Sequence, residues 1–398
     1  MENRSMGRTG DRASILGFGC MRLPLDGPKP NNIDYDLGIK MVRSAIDRGV
    51  NYVDTAYAYH SGGTREEPGE SEPFLAAALR DGYREKVRVA TKLPTWLVKS
   101  YSDMHRYLDI QLKRLDVRQI DYYLAHNLNA SVWGPLLEHG MLRFFDEAVK
   151  DGRIRFPAFS FHDEYPLFET IVKSYDWAMA QVQYNYLDQD YQAGRAGVKL
   201  AASRGAAVVV MEPLRGGFLV KYLPEGPRET LRKIRPDWSL AGWALNWLWA
   251  QSEVSAVLSG MSDMAQTDDN VAAALAYRDG VFGEAEAKAV EEVIGFFGRR
   301  IKVDCTACGY CMPCEDGVDI PKNLNFYNQF HLFDESEPKE RCRFFYGIQV
   351  APSEAAARCT SCGKCLEKCP QHISIPDVLK RTAETFTPDQ PGQSFTNR

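Results

Sequence analysis

Before about residue 280 the chain repeats one unit eight times: a short β-branched or apolar run, then a stretch whose apolar residues recur at helical spacing. The predicted strands are Leu16–Gly19, Tyr52–Asp54, Val87–Thr91, Tyr122–Ala125, Arg155–Ser160, Trp177–Gln181, Ala207–Met211 and Ser255–Leu258. Between them, Asp36–Asp47 sets Leu37, Met41 and Ala45 on one helical face, and Asp103–Leu115 does the same with Met104, Leu108, Leu112 and Leu115. Gly49, Gly82, Gly152 and Gly205 close helical stretches shortly before the next strand. Strands that alternate with helices pair in parallel, and eight such units fit a closed (β/α)8 barrel, which takes ~250 residues. An open doubly wound sheet is the rival, but no GxGxxG follows the first strand.

Composition matters through its cysteines. Only Cys20 of the ten lies outside the stretch from Cys305 to Cys369. A disulfide framework belongs to short secreted chains, and this chain has 398 residues and an N-terminal stretch, MENRSMGRTGDRAS, without an apolar core. The most apolar stretch, Ala241 to Ala250, is about half of the ~20 residues that a membrane span needs. A formal charge of −5 with no basic tract argues against nucleic acid or an anionic membrane as partner. The expectation is a soluble, cytoplasmic protein whose cysteines bind metal.

The first cysteine run is Cys305-x2-Cys308-x2-Cys311-x2-Cys314; the second, Cys359-x2-Cys362-x2-Cys365-x3-Cys369-Pro370, resembles the ferredoxin run. In two-cluster ferredoxins the fourth cysteine of each run binds the other cluster. That pattern predicts one [4Fe–4S] cluster on Cys305, Cys308, Cys311 and Cys369, and a second on Cys359, Cys362, Cys365 and Cys314. Zinc is the alternative, since CxxC pairs are its signature too, but neither run has the separation expected between two such pairs. The 44 residues from Glu315 to Arg358 exceed the spacer of a small ferredoxin and contain two helical stretches, Pro321–Phe333 and Glu337–Tyr346. Cys342 reads as a packed thiol. The charged helix Glu284–Arg300 leads from the barrel to the cysteines, giving a barrel over 1–283, a mainly helical cluster domain over 284–386 and a loose polar tail over 387–398.

Chemistry in such a barrel sits where the strands end. Asp54, Lys92, His126, Ser160 and Gln181 stand at strand ends, and Tyr59 follows Asp54 in VDTAYAYH. These side chains suit carbonyl reduction. A phenol is a poor acid at neutral pH, and an adjacent ammonium favours its phenolate. Lys92 would do this for Tyr59, Asp54 would keep Lys92 charged, and His126 would stabilise the developing oxyanion.

The runs GVNYVDTAYAYH, VRVATKLP and IDYYLAHNLN resemble the Asp, Tyr, Lys, His tetrad of the aldo-keto reductase superfamily, in order and on matching strands. LGFGCMRLP, FSFHD, QVQYNYLD and VVVMEPLRGG are similar to the branch whose barrel carries an iron–sulfur extension, so the resemblance spans nearly the whole chain. It implies a small carbonyl or alcohol substrate and a nicotinamide cofactor, NADP or NAD. Gly19, Cys20 and Met21 would line the cofactor cleft. Ser160 and Gln181 would hold the carboxamide, with Phe161 where the family has Asn and Met211 where it has a stacking aromatic. The backbone amides of Ser259, Gly260 and Met261, with Asn270, would cradle pyrophosphate and adenosine. Gly260 and Gln266 occupy the places of the Lys and Arg that grip a 2′-phosphate.

A nicotinamide passes a hydride and clusters pass single electrons, and no flavin signature links the two. Three readings stay open: clusters active in turnover with a redox partner such as ferredoxin, an ordinary nicotinamide reductase with structural or redox-sensing clusters, and a non-enzymatic electron-transfer or regulatory module. His60 and His162 are further candidates for the site, against a solvated-loop reading. Trp238, Trp243, Trp247 and Trp249 read as packing in the seventh helix. The loop SGGTREEPGE reads as a flap over the site or as plain surface.

Overall fold

The computed structural model describes residues 1–62, 64–305 and 307–386, so the segment read as a tail lies outside the described residues. The strands are β1 (Asn3–Ser5), β2 (Arg12–Ser14), β3 (Leu16–Gly19), β4 (Tyr52–Asp54), β5 (Arg88–Leu93), β6 (Ile120–Leu128), β7 (Ile154–Phe161), β8 (Met179–Gln183), β9 (Ala207–Met211) and β10 (Val254–Gly260). β3 to β10 form a closed parallel barrel in chain order, with β10 pairing β3 in the register Gly260 to Gly19. This is the (β/α)8 architecture that the alternation implies. Inside it, Tyr52, Ala90, Tyr122, Leu124, Ala158, Met179, Val209 and Leu258 fill the cylinder, as closed barrels require. A larger apolar layer lies between the strands and the outer helices.

One feature was not anticipated. β1 and β2 form an antiparallel hairpin, and its Met6 and Ala13 join the interior packing of the barrel. The hairpin seats so closely on the turn before β9 that a Cβ at Gly7 would stand 2.3 Å from the Gly205 carbonyl oxygen, while Arg8 N donates to that oxygen at 2.8 Å. Buried Asp11 accepts two hydrogen bonds from Arg88, at 2.7 and 2.8 Å. The end opposite the strand C-termini is therefore sealed, and the other end is left for chemistry.

Trp243, Trp247 and Trp249 lie on the helix Leu240–Trp249, whereas Trp238 precedes its N-cap Ser239. They pack as expected: Trp249 Nε1 donates to the Ile15 carbonyl at 2.8 Å, and Trp247 lies 5.2 Å from the Tyr184 ring.

The described residues divide into two compact units, 1–220 with 231–289, and 221–230 with 290–386. The division falls inside the helix Glu284–Gly298. In the second unit the helices Ile320–Phe330, Ser336–Gln349 and Ile375–Phe386 surround two apolar cores. Two buried asparagines of Ile320–Phe330 hold the segments that enter the cysteine runs. Asn328 accepts from Lys302 N and Val303 N at 3.0 Å each, and Asn323 accepts from Ala356 N at 2.9 Å. Cys342 is the packed thiol expected, donating to the Phe326 carbonyl at 3.6 Å.

Candidate active site and cysteine runs

Asp54 ends β4 and Lys92 lies near the end of β5; His126 is near the end of β6 and Tyr59 is on the loop after β4. The Lys92 ammonium is wholly buried and donates to Asp54 Oδ1 at 2.6 Å, to the Thr55 carbonyl at 2.8 Å and to the Tyr59 hydroxyl at 3.1 Å. All the donors of the ammonium are thus matched, the condition under which a buried charge is tolerated. The Tyr59 and His126 rings meet edge to face at 6.0 Å. The four side chains expected to act together share one place.

Burial works against the Lys92 ammonium, but Asp54 and Tyr59 outweigh it and its pKa is raised. Burial raises the Asp54 carboxyl, with Lys92 pulling the other way. For Tyr59 the expectation of a more acidic phenol is corrected. Burial pushes the phenol up, Lys92 pulls it down by less, and the net shift is above the ordinary range. Burial, reinforced by Lys92, drives His126 well below the usual imidazole range, so the ring is neutral at physiological pH.

Among the described residues, Asp54 Oδ2, His126 Nδ1 and Gln181 Oε1 are buried without a hydrogen-bond partner. Buried polar atoms are rarely left so, and their grouping at one barrel end marks a place for a ligand. Gln181 Nε2 rests on Met211 Sδ at 3.7 Å, Ser160 Oγ accepts from Asn127 N at 2.8 Å, and Ser259 Oγ accepts from Asn270 Nδ2 at 2.7 Å. Met21 is half exposed. One expected lining residue needs correction: Cys20 is fully buried in the layer between strands and helices, so its side chain faces packing and not a cleft; the Met261 side chain packs in the same layer, which leaves the role expected of its backbone amide untouched. Phe161 lies in the same layer. Gln266 turns back on its own loop, where its Oε1 accepts from Ser262 N at 3.1 Å and its Nε2 donates to Asp263 at 2.8 Å.

In the second unit, Cys305, Cys308, Cys311 and Cys369 line one cavity, and Cys314, Cys359, Cys362 and Cys365 line another that Cys311 also borders. The two runs share one backbone pattern: Ala307 and Gly309 in the first, and Ser361 and Gly363 in the second, have positive φ at matching offsets. Such left-handed residues turn successive amides inward, a conformation suited to an anionic centre, and Ser361 N donates to Cys359 Sγ at 3.4 Å. The thiols ring cavities and do not converge on a point. Among the described residues no trio of His, Cys, Asp and Glu stands close enough to hold a single metal ion.

Residues 15–289 match the aldo/keto reductase family, well over half of the chain. The chain belongs to the aldo/keto reductase family. Residues 304–374 match a 4Fe-4S dicluster domain, so this reductase-family barrel carries a ferredoxin-type domain at its C-terminal end. A probable aldo-keto reductase of Glycine max is 28% identical over 225 residues, 54% of this chain and 59% of the relative; the chain thus spans less than two thirds of that protein. An uncharacterized oxidoreductase of Bacillus subtilis, YqkF, is 24% identical over 73% of this chain and 96% of its own length. The thermostable aldo-keto reductase Tm1743, solved with the inhibitor epalrestat, is 28% identical with a TM-score of 0.60, covering 74% of this chain and all of that one. The aldo-keto reductase AKR11C1 of Bacillus halodurans shares the fold with a TM-score of 0.58 at 24% identity, over 74% of this chain and 96% of its own.

Several residues that pack around this aldo/keto reductase site were not singled out from the sequence. The Trp96 ring lies tilted against His126 with ring centroids 5.2 Å apart, and its Nε1 donates to the Arg65 carbonyl at 3.1 Å, so part of the SGGTREEPGE loop docks beside the tetrad. Buried Glu72 accepts from Thr91 Oγ1, Gln111 Nε2 and Arg114 Nε at 2.7, 2.6 and 2.9 Å. Arg114 also holds the Gly69 carbonyl and Gln111 holds that of Lys92, so one buried carboxylate ties the Tyr59 loop to the Lys92 strand. Arg22 and Glu212 form an ion pair at 3.6 Å. His60, read as solvated or modulating, is instead a structural clasp: its Nε2 accepts from Leu23 N at 3.2 Å and its Nδ1 lies 2.7 Å from the Pro30 carbonyl. His162 is half-buried, with a pKa lowered by burial.

Proposed function

We propose that the barrel interconverts a carbonyl and an alcohol, and that the C-terminal domain holds two [4Fe–4S] clusters. The observation that carries the reading is the wholly buried Lys92 ammonium, joined at once to Asp54 and to the Tyr59 hydroxyl. A nicotinamide dinucleotide, held by the residues named next, would supply hydride chemistry to this site. Gln181, with its unpartnered Oε1, and Ser160 suit the carboxamide; Ser259, Gly260 and Asn270 suit the phosphates and adenosine. The substrate oxygen meets Tyr59 and neutral His126. Tyr59, whose raised pKa keeps its proton through neutral pH, gives that proton to the oxygen as negative charge develops there. Lys92, 3.1 Å from the phenol oxygen, stabilises the phenolate as it forms, and Asp54 keeps the ammonium charged and aimed. His126 donates a hydrogen bond to the same oxygen and, being neutral, does not compete with Tyr59 as an acid.

The cluster ligands are Cys305, Cys308, Cys311 and Cys369 for one site and Cys314, Cys359, Cys362 and Cys365 for the other, matching the two cavities. Clusters held there would supply single-electron chemistry, for exchange with a redox partner such as ferredoxin. Anaerobically purified protein, offered a panel of aldehydes and ketones with NADH or NADPH, tests the barrel; reduced ferredoxin, added in a second arm, tests the coupling. Turnover lost in Tyr59→Phe supports the reading. No turnover of any carbonyl in either arm refutes it.

A further inference from the structure

Ser71 and Glu72 begin the helix Ser71–Ala78, and both are wholly buried. The backbone at this helix start holds the Tyr59 loop: Gly69 N donates to the Tyr57 carbonyl at 2.7 Å, and Ser71 N donates to that of Tyr59 at 3.2 Å. Ser71 Oγ donates to the Cys20 carbonyl at 2.9 Å and, its one proton so used, accepts from Thr55 Oγ1 at 2.7 Å. Thr55 is the residue whose carbonyl accepts from the Lys92 ammonium. The Glu72 carboxylate reaches the Lys92 strand from behind. It meets Thr91 on β5, and Gln111 and Arg114, which are three residues apart on the helix Tyr101–Arg114 and share a face. The buried Tyr123 hydroxyl donates to Gln111 Oε1 at 2.7 Å, which turns Gln111 Nε2 toward Glu72 at 2.6 Å and toward the Lys92 carbonyl at 3.0 Å. Arg114 closes the circuit by holding the Gly69 carbonyl.

We propose that Glu72 is a positioning residue, whose carboxylate fixes the Tyr59 loop against the Lys92 strand and so sets the contact between phenol and ammonium through which the proton is given. The inference rests on the carbonyl-reduction reading above. Thr91 Oγ1, Gln111 Nε2 and Arg114 Nε are three donors converging on two oxygens, and an ionised carboxylate accepts from all of them where an amide does not. A glutamine that keeps its oxygen for Thr91 and Gln111 turns N–H toward the Arg114 N–H. The strand then stays held, and the guanidinium that clasps the Gly69 carbonyl loses its anchor. Release of the loop moves Tyr59 relative to Lys92, and a displacement near 1 Å costs about 10²-fold in rate.

The test is steady-state reduction of an aldehyde by the anaerobically purified holoprotein, well below the melting temperature of each variant. Glu72→Gln is expected to lower kcat by roughly 10- to 100-fold, with KM and dinucleotide affinity changed by less than about twofold. In the Tyr59→Phe background the same substitution is expected to leave the residual rate within about twofold, because no proton donor remains to be misplaced. Arg114→Met cuts the circuit from its partly exposed side and keeps the test open if Glu72→Gln fails to fold. It should lower kcat by a similar factor, and the double variant should lose no more than either single one. A brace for stability alone would lower the melting temperature and leave kcat in place, or would lower the rate equally with and without the Tyr59 hydroxyl; either result overturns the proposal. If the unaltered protein reduces no carbonyl, the carbonyl-reduction reading itself falls.

Discussion

Lys92 decides most of what the tetrad can do, because its ammonium has no water to fall back on and every donor is committed to protein. Removing one partner of a buried pair strands the other charge, so Lys92→Met should cost about 3–5 kcal/mol in urea unfolding, and adding Asp54→Asn should recover part of that loss. Tyr59→Phe removes only a hydroxyl. It should lower carbonyl turnover by roughly 10²- to 10⁴-fold, the contribution of a positioned proton donor, while leaving dinucleotide binding intact in a fluorescence titration. The raised phenol pKa fixes the pH course. Tyr59 stays protonated until the pH passes above the ordinary value near 10, so reduction should persist to the alkaline side of that value, and the neutral His126 should impose no loss between pH 6 and 8. A rate profile that falls on the acid side of pH 10 as a phenol titrates would argue against this burial.

At the scale of elements, the loop after β4 is set by close approach. A Cβ at Gly69 would stand 1.8 Å from the Tyr59 carbonyl oxygen, while Gly69 N donates to the Tyr57 carbonyl at 2.7 Å. Gly69→Ala must shift the Tyr59 backbone, and a displacement near 1 Å costs about 10²-fold in rate, to be read as lost kcat together with a loss of about 1–3 kcal/mol in urea stability, because the obstacle is main chain. At the sealed end, Asp11 is partly raised by burial but brought below the usual carboxylate range by Arg88. A depressed pKa contributes stability above the unfolded value near 3.9 and loses it as pH falls through the folded value, so Asp11→Asn should remove about 1–3 kcal/mol at pH 7 and flatten the acid limb of stability. The eight barrel strands were legible because each is an apolar run that ends at a turn. The hairpin was not: β1 and β2 have three residues each, too few to display alternation, and only two of their six residues are buried. Cys20 was misplaced for a related reason, since at a strand end a shift of one residue turns a side chain from cleft to core. Glu72 and Trp96 lack any motif, and only the packing of neighbouring loops shows their place.

Across the whole molecule, two kinds of order coexist. The first unit has an apolar interior and an outer layer of its own, whereas the second packs a smaller core directly against its cysteines, with Cys305, Cys311, Cys314, Cys359 and Cys365 beside Leu324, Val378 and Leu379. If the proposed clusters complete this core, its stability depends on them. Calorimetry of the holoprotein before and after iron chelation should therefore show one transition lost or lowered and the barrel transition kept. Both cysteine runs were legible, since spacing alone brings three ligands onto one loop, and the cavities group the eight cysteines as the exchanged fourth ligands require. The tetrad was legible from its order along the strands, yet the direction of the Tyr59 shift was not, because burial has no signature in residue spacing. The most direct test of the central claim is carbonyl reduction by anaerobically purified protein, compared with its Tyr59→Phe variant under saturating dinucleotide. Turnover should fall by at least roughly 10²-fold in the variant while bound dinucleotide is unchanged; equal turnover by the two proteins would rule out Tyr59 as the proton donor.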